Sequence, residues 1–339
     1  MVADTARTRV YWLELGGEDD AFAAREAENA ATAVEVVAPG LAAAGSIDPD
    51  RVRRLAYTHR ANEAVGRTDA SVASARALLE AASIGREGTV AVRARDVRGG
   101  TDVSTTDAER ELGGVLVDRG YDVDLDDPDH ELRACFADDV CLLGWLAAES
   151  VRDFGDRRPT DRPFFQPGSM DPLDARAVVN MVGAGPGTTL LDPMCGTGGV
   201  LIEADIVGSD VVGVDAQRKM VRGARENLDA YIDGGEVVRG DATRLPFRDG
   251  FADGVVFDAP YGRQSKVEKH PLADLVPGAL AEAARVASRA VVVADRPLRE
   301  AATENGWSVE RVFERRVHRS LTRFVHVLER ASGAPGARA

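Results

Sequence analysis

The chain reads as an α/β protein: a doubly wound, mainly parallel sheet in its second half, closed at one edge by an antiparallel strand pair, and preceded by an α+β region. Three observations predict this. From Thr188 onward, short apolar runs alternate with helical segments, the rhythm of parallel strands and crossover helices. The first half instead mixes half-buried alternating runs with alanine-rich helical stretches. Between them, Asp153 to Ser169 (DFGDRRPTDRPFFQPGS) holds three prolines and few periodic apolar residues, which marks a change of unit. With 339 residues, 44% of them hydrophobic, the chain has material for more than one core.

Taken in order, Val10 to Leu15 (VYWLEL) alternates aromatic and polar residues as a half-buried strand, and Asp20 to Ala38 reads as an alanine-rich helix followed by Val34–Val37. From Arg51 there follow an arginine-rich strand candidate, a helix through Ser71–Ala82 and a strand over Thr89–Val97. Thr105 and Thr106, ahead of Asp107 and Glu109, start a helix to Arg119, since acidic side chains suit a helix N-terminus. Asp124–Asp129 is an acidic loop. In the second half the strands are Thr188–Leu191, Val211–Val214, Glu236–Val238, Val255–Phe257 and Val291–Ala294. The helices between them are Gly198–Ile206, Arg218–Tyr231 and one within Ala273–Val286. Ser308–His318 and Leu321–Glu329, around Arg319-Ser320, are the antiparallel pair. The last residues, 333–339, are expected to be a disordered tail.

Composition excludes several classes. Cys135, Cys141 and Cys195, with five scattered histidines, give neither a disulfide framework nor a zinc site, so buried thiols and no metal are expected. The longest uncharged apolar stretches, such as Val140 to Ala148, are far shorter than a membrane helix, and the start MVADTARTRV has no signal-peptide core. A soluble, cytoplasmic protein is the expectation. The net charge is −14, and only Lys219, Lys266 and Lys269 are lysines among 42 basic residues. That balance suits a surface adapted to concentrated salt; an ordinary acidic protein in an arginine-biased proteome is the alternative. Within this acidic whole, residues 51–100 carry +5 and residues 101–150 carry −11. Arg51, Arg53, Arg54, Arg60, Arg67, Arg93, Arg95 and Arg98 could therefore meet phosphates, which the arginine fork bonds bidentately. Equally, they could pair with the acidic stretch that follows.

The densest chemical signal is Leu190 to Gly199 (LLDPMCGTGG), a strand that enters a glycine turn and then a helix. Gly196 and Gly198, flanking Thr197, let a ligand approach the backbone at a helix N-terminus. The spacing departs from G-x-G-x-x-G, and Asp192 at the strand end repels pyrophosphate, which disfavours a dehydrogenase. Asp215, 19 residues after Gly196 and ending the next strand, stands where a ribose-binding acid is expected. Asp241, followed by Ala242, and Asp258 end the next two strands. In an open parallel sheet these four acids line one crevice, and they call for a cationic, donor-rich ligand. S-adenosylmethionine, with a sulfonium, an ammonium, a ribose diol and an adenine amine, fits that description.

Asp258-Ala259-Pro260-Tyr261-Gly262 points to the acceptor. An exocyclic base amine is a poor nucleophile because its lone pair is delocalised into the ring. If the Asp258 carboxylate and the Ala259 carbonyl accept its two hydrogens, the lone pair is freed toward a methyl group, with Pro260 stiffening the turn and Tyr261 offering a face for a flipped base.

These residues resemble the amino-methylating class I S-adenosylmethionine-dependent methyltransferases, with their Rossmann-like doubly wound sheet. Arg162 to Met170 (RPFFQPGSM), DPMCGTGG and DAPYG together look like the archaeal tRNA guanosine-10 N2-methyltransferase family. Upstream, Arg53 to Arg60 (RRLAYTHR), Ala91 to Arg95 (AVRAR) and Glu109 to Gly113 (ERELG) resemble that family's ferredoxin-like and THUMP RNA-binding region. The resemblance implies a ferredoxin-like region over 1–50, a THUMP domain over 51–152, a linker over 153–165 and a methyltransferase domain over 166–332. It also implies that Asp192 and the Gly196–Gly198 turn hold the methionine portion, Asp215 the ribose, and Asp241 with Ala242 the adenine. Asp258 to Tyr261 would handle guanine, with the Phe165–Met170 loop flanking the cofactor. The tRNA would meet Arg51, Arg53, Arg54, Arg60, Arg93 and Arg95, and a small activating subunit is a candidate partner of a monomer. Ala259 departs from the family's D-P-P-Y pattern but keeps the backbone carbonyl. Methylation of another guanine N2 or of adenine N6, and a binding-only RNA protein, remain as alternatives.

Overall fold

Tyr11–Leu15 forms strand β1, but Leu13, Glu14 and Leu15 are all buried, so the half-buried alternation expected from the sequence is not kept. The computed structural model describes residues 10–260, 272–318 and 321–332, and the chain divides into two units, Met1–Val151 and Arg152–Ala339. In the first unit β1 is followed by α1 (Asp20–Ala27), β2 (Ala31–Thr32), β3 (Glu35–Ala38), β4 (Leu41–Ala44), β5 (Ser46–Ile47), α2 (Pro49–Val52) and β6 (Thr58–Asp69). Then come α3 (Val72–Ala81), β7 (Val90–Asp96), α4 (Thr105–Asp118), β8 (His130–Ala137) and β9 (Val140–Glu149). One seven-stranded sheet, in the order β3-β4-β1-β6-β9-β8-β7, runs across the division expected at residue 50 because β1 pairs with β6. Leu79 of α3 and Leu112 and Leu116 of α4 cover one face, against Val90, Leu132, Phe136 and Leu143.

Three local expectations change here. The alanine-rich helix stops at Ala27, because Ala31 and Thr32 pair with β5 instead. The arginine-rich strand candidate begins as helix α2, nucleated by Pro49 in its first turn and by Asp48, whose carboxylate caps the Asp50 and Arg51 amides. Its strand starts only at Thr58. The hairpin β8–β9 was visible in sequence only as an apolar run at Val140 to Ala148; its residues are buried almost continuously, so period-two alternation is absent.

The second unit contains α5 (Pro172–Val182), β10 (Thr189–Asp192), α6 (Gly199–Ile206), β11 (Asp210–Asp215), α7 (Arg218–Tyr231), β12 (Glu236–Arg239), β13 (Gly254–Asp258) and α8 (Leu272–Val286). After these come β14 (Arg289–Ala294), α9 (Arg299–Glu304), β15 (Trp307–His318) and β16 (Leu321–Arg330). Its sheet runs β12-β11-β10-β13-β14-β16-β15, parallel from β12 to β14 and antiparallel for the last two strands. This is the expected doubly wound sheet with its antiparallel edge. Strand order reverses at β10, so the carboxyl ends of β10 and β13 flank the switch point where such sheets bind ligands. Residues 153–165, expected as a linker, form two short 3-10 turns and bury Phe154, Arg157 and Arg162 within this unit. Arg157 and Arg176 both grip Glu203 of α6, at 2.8 and 2.6 Å, and removing one partner would strand a buried charge. All three cysteines are buried, and no described helix is long and apolar enough to cross a membrane. The tail 333–339 and the Arg319-Ser320 turn lie outside the described residues.

His326 of β16 is fully buried; its Nε2 accepts the Leu298 amide at 2.9 Å, and its Nδ1 donates to the Val292 carbonyl at 3.1 Å. Burial holds its pKa below the ordinary value. The unfolded chain protonates this ring below about pH 6.5 while the folded one resists, so its contribution to stability is complete above that pH and declines as pH falls toward the folded pKa. Thermal unfolding midpoints measured from pH 8 to 5 should fall more steeply for the wild type than for His326→Gln. Equal slopes would contradict this reading.

Candidate active site

The site begins with β10, whose apolar residues carry the chain into Asp192, only 2% exposed. Asp192 Oδ1 accepts the Met194 amide at 3.0 Å, and the chain then turns back, with the Cys195 amide on Val214 O at 2.9 Å and the Gly198 amide on Cys195 O at 2.7 Å. Gly196 and Gly198 stand at φ +53° and +80°, a region that favours glycine. A side chain at Gly198 would strike Leu228 at 2.7 Å, whereas one at Gly196 would meet only Met194 O, at 3.9 Å. The turn is therefore packed below and open above. Asp215 braces it from β11, its Oδ2 accepting the Gly196 amide at 3.1 Å and its Oδ1 the Gln217 amide at 2.8 Å. After β12, Asp241 Oδ1 accepts both the amide and the hydroxyl of Thr243, and Ala242 is buried.

Charge is crowded in this crevice. Burial pushes the Asp192 carboxyl well above the usual range, and the neighbouring Asp215 and Asp258 push it further. Asp258, ending β13, is pushed up to about 7 by burial, against the pull of Arg323, with Asp295 adding to the rise. Its Oδ2 lies 3.2 Å from Arg323 Nη2, and its Oδ1 has no hydrogen-bond partner among the described residues. Ala259 is buried with its amide on Val293 O at 2.8 Å, Pro260 follows it, and Tyr261 lies outside the described residues. Asp295, just past β14, is a fifth strand-end acid that the sequence pattern did not single out.

The 164–170 loop is fastened to this crevice by residues that no motif announces. Buried Asn227 of α7 donates to Phe164 O and Thr197 O, both at 2.8 Å, while its Oδ1 accepts the Phe164 amide at 2.8 Å. The Phe164 ring lies on Gly223, where a Cβ would approach it to 2.0 Å. Ser169 Oγ is 3.1 Å from Thr197 Oγ1, and Arg323 Nη2 donates to Gly168 O at 3.2 Å.

In the first unit, the arginines expected to meet RNA divide into two groups. Arg51 donates to Asn29 O and Oδ1, Arg53 is exposed and Arg54 half-buried. Arg60, Arg93 and Arg95 lie on the sheet and are engaged by the protein: Arg60 with Glu149, Arg93 with Leu125 O at 2.5 Å, and Arg95 with Glu14 at 3.4 Å. Glu14 is 1% exposed and forked by Arg133 at 2.9 and 3.0 Å. Burial pushes its carboxyl up, but Arg133, then Arg60 and Asn62, outweigh this and hold it below the usual range. Pairing therefore claims much of the basic segment. Pairing with the following acidic residues is the alternative raised from sequence, and Glu131 and Glu149 supply part of it, while Glu14 comes from β1 on the other side.

With this geometry, the comparisons with known proteins agree. The family model for an RMKL-like methyltransferase domain matches residues 159–324. The chain is 38% identical over 289 residues to a Methanothermobacter thermautotrophicus protein named tRNA (guanine(10)-N2)-dimethyltransferase, covering 82% of this chain and 84% of that one. A Pyrococcus abyssi protein of the same name is 31% identical over 249 residues, covering 72% and 74%. A third, from Methanocaldococcus jannaschii, is 31% identical over 175 residues, covering 48% and 50%.

Asn227→Ala leaves two carbonyls and one amide without their partner. Urea unfolding should register a loss of about 3 kcal/mol. A loss within about 0.5 kcal/mol, the scale of an ordinary surface change, would contradict the assigned role.

Proposed function

The chain belongs to the tRNA (guanine(10)-N2)-dimethyltransferase family, and from that membership we propose that it transfers methyl groups to the exocyclic N2 of guanosine 10 in cytoplasmic tRNA, adding first one and then a second. It is an S-adenosylmethionine-dependent methyltransferase. The observation that carries the proposal is the pairing of a buried acid, Asp192, with the neighbouring Asp258, whose Oδ1 has no hydrogen-bond partner among the described residues.

The residues fit the cofactor. Asp192 is a buried acid raised by burial and by like charges, an arrangement that a cationic ligand relieves. The ground over Gly196 is open, as a ligand lying across the turn requires. Asp192, Thr197 and the Gly196–Gly198 turn would hold the methionine portion, Asp215 the ribose, and Asp241 with Ala242 the adenine. When bound, S-adenosylmethionine supplies an electrophilic methyl group on a sulfonium.

The protein's own work is positioning and proton acceptance. Asp258 Oδ1 accepts one hydrogen of the guanine amine and the Ala259 carbonyl the other, which turns the nitrogen lone pair out of conjugation. With a pKa near 7, Asp258 is partly ionised at neutral pH and can take the proton released as the N–C bond forms. Tyr261 stacks on the flipped base. The loop is held beside the glycine turn by Asn227 and Ser169. Phosphates would meet Arg53 and Arg54 and the exposed parts of Arg93 and Arg95, giving affinity that falls with salt.

Labelled methyl from S-adenosylmethionine should pass to unmodified tRNA with wild-type protein. Transfer should vanish, falling at least about 100-fold, with Asp258→Ala, and should vanish when adenosine replaces guanosine at position 10. Label surviving the adenosine change would move the target to another nucleotide. No label on any RNA would overturn the proposed activity.

A further inference from the structure

Asp258 cannot be read in isolation, because a carboxyl buried at a strand end stays protonated unless something offsets its surroundings. The charged groups facing it are Asp295 after β14, Asp192 at the end of β10 and Arg323 on β16. Two are negative. Arg323 supplies the compensating charge from a side chain that is itself only 8% exposed. Its Nη2 donates a hydrogen bond to Gly168 O and makes an ion pair with Asp258 Oδ2, each at 3.2 Å.

We propose that Arg323 is the positioning residue of this site: its charge favours the ionised form of Asp258, with Oδ2 ion-paired and Oδ1 left for the substrate amine, and it ties the carboxyl to the cofactor-side loop through Gly168. The proposal deepens the methyltransferase reading, on which its catalytic meaning rests. Its location follows from the edge pairing. β16 runs antiparallel to β14, with Val325 opposite Val293, and β14 sets Val293 beside Asp258. Residue 323, two positions from Val325, shares its face of β16 and reaches back over the end of β14 to the carboxyl ends of the parallel strands. A planar, permanently charged fork can serve a carboxylate and a carbonyl at once. The shorter ammonium of lysine supplies charge without that fixed geometry.

The test is carried out on the full chain without cofactor or RNA. Asp258 is followed by carbon NMR of 13Cγ-labelled aspartate, assigned by its loss in Asp258→Asn. Wild type is compared with the neutral variants Arg323→Gln and Arg323→Met and with the charge-keeping Arg323→Lys, each confirmed as folded by circular dichroism. The wild-type resonance should titrate at about 7. In either neutral variant the midpoint should rise by about one unit or more, a tenfold change in proton affinity. In Arg323→Lys it should stay within about half a unit of wild type. The acid limb of kcat/KM for methyl transfer should move upward with the neutral variants, a shift that a merely structural role would not cause. A folded neutral variant whose Asp258 titrates as in wild type would overturn the proposal. A shifted titration in a protein that methylates no RNA would leave Arg323 in its role and refute the enzymatic reading instead.

Discussion

Carboxyl groups gathered at the ends of parallel strands, one of them buried, are the constraint on which this molecule turns. Asp192 is almost fully enclosed, and the charges of Asp215 and Asp258 both act on it. Such a cluster is costly to ionise. It sits where the doubly wound topology opens a crevice at the reversal of strand order, the place such sheets bind ligands. Asp215 takes part twice, as a charge in the crevice and as the acceptor that fixes the Gly196 amide.

A second layer makes the crevice a rigid one. The 164–170 loop precedes the sheet in sequence but is held by elements that come after it: α7 through Asn227, the glycine turn through Thr197 and β16 through Arg323. The antiparallel edge thus does more than finish the sheet. Its inward face carries Arg323, Val325 and Val327, a charge at the mouth of the crevice and apolar packing below it. The stretch ahead of the loop is anchored too, through Arg157 and Glu203, which leaves no free linker on this side of residue 152.

The second half was legible in sequence because its strands are short apolar runs separated by helices, and because the acids of chemical interest end those strands. Asp192, Asp215 and Asp258 could be placed from pattern alone, and the structure brings them together. Asn227 and Arg323 could not. Each is a polar residue about 60 positions from its partner, and no local spacing marks a hydrogen bond made across a fold. The first half was harder for the same reason. Arginines at 60 and 95 look like an RNA face until Glu149 and Glu14 are brought beside them by β9 and β1. The almost continuous burial of β8 and β9 erased the alternation by which a strand is recognised.

If the acid cluster exists to receive a cation, binding of S-adenosylmethionine must drive protons off it. Calorimetric titration at pH 7, repeated in buffers of different ionisation enthalpy, measures that number directly. Release of about one proton per site is expected in wild type, and markedly less in Asp192→Asn. Binding without proton release in wild type would contradict the account, because the carboxyl groups of the crevice would then already be ionised before the ligand arrives.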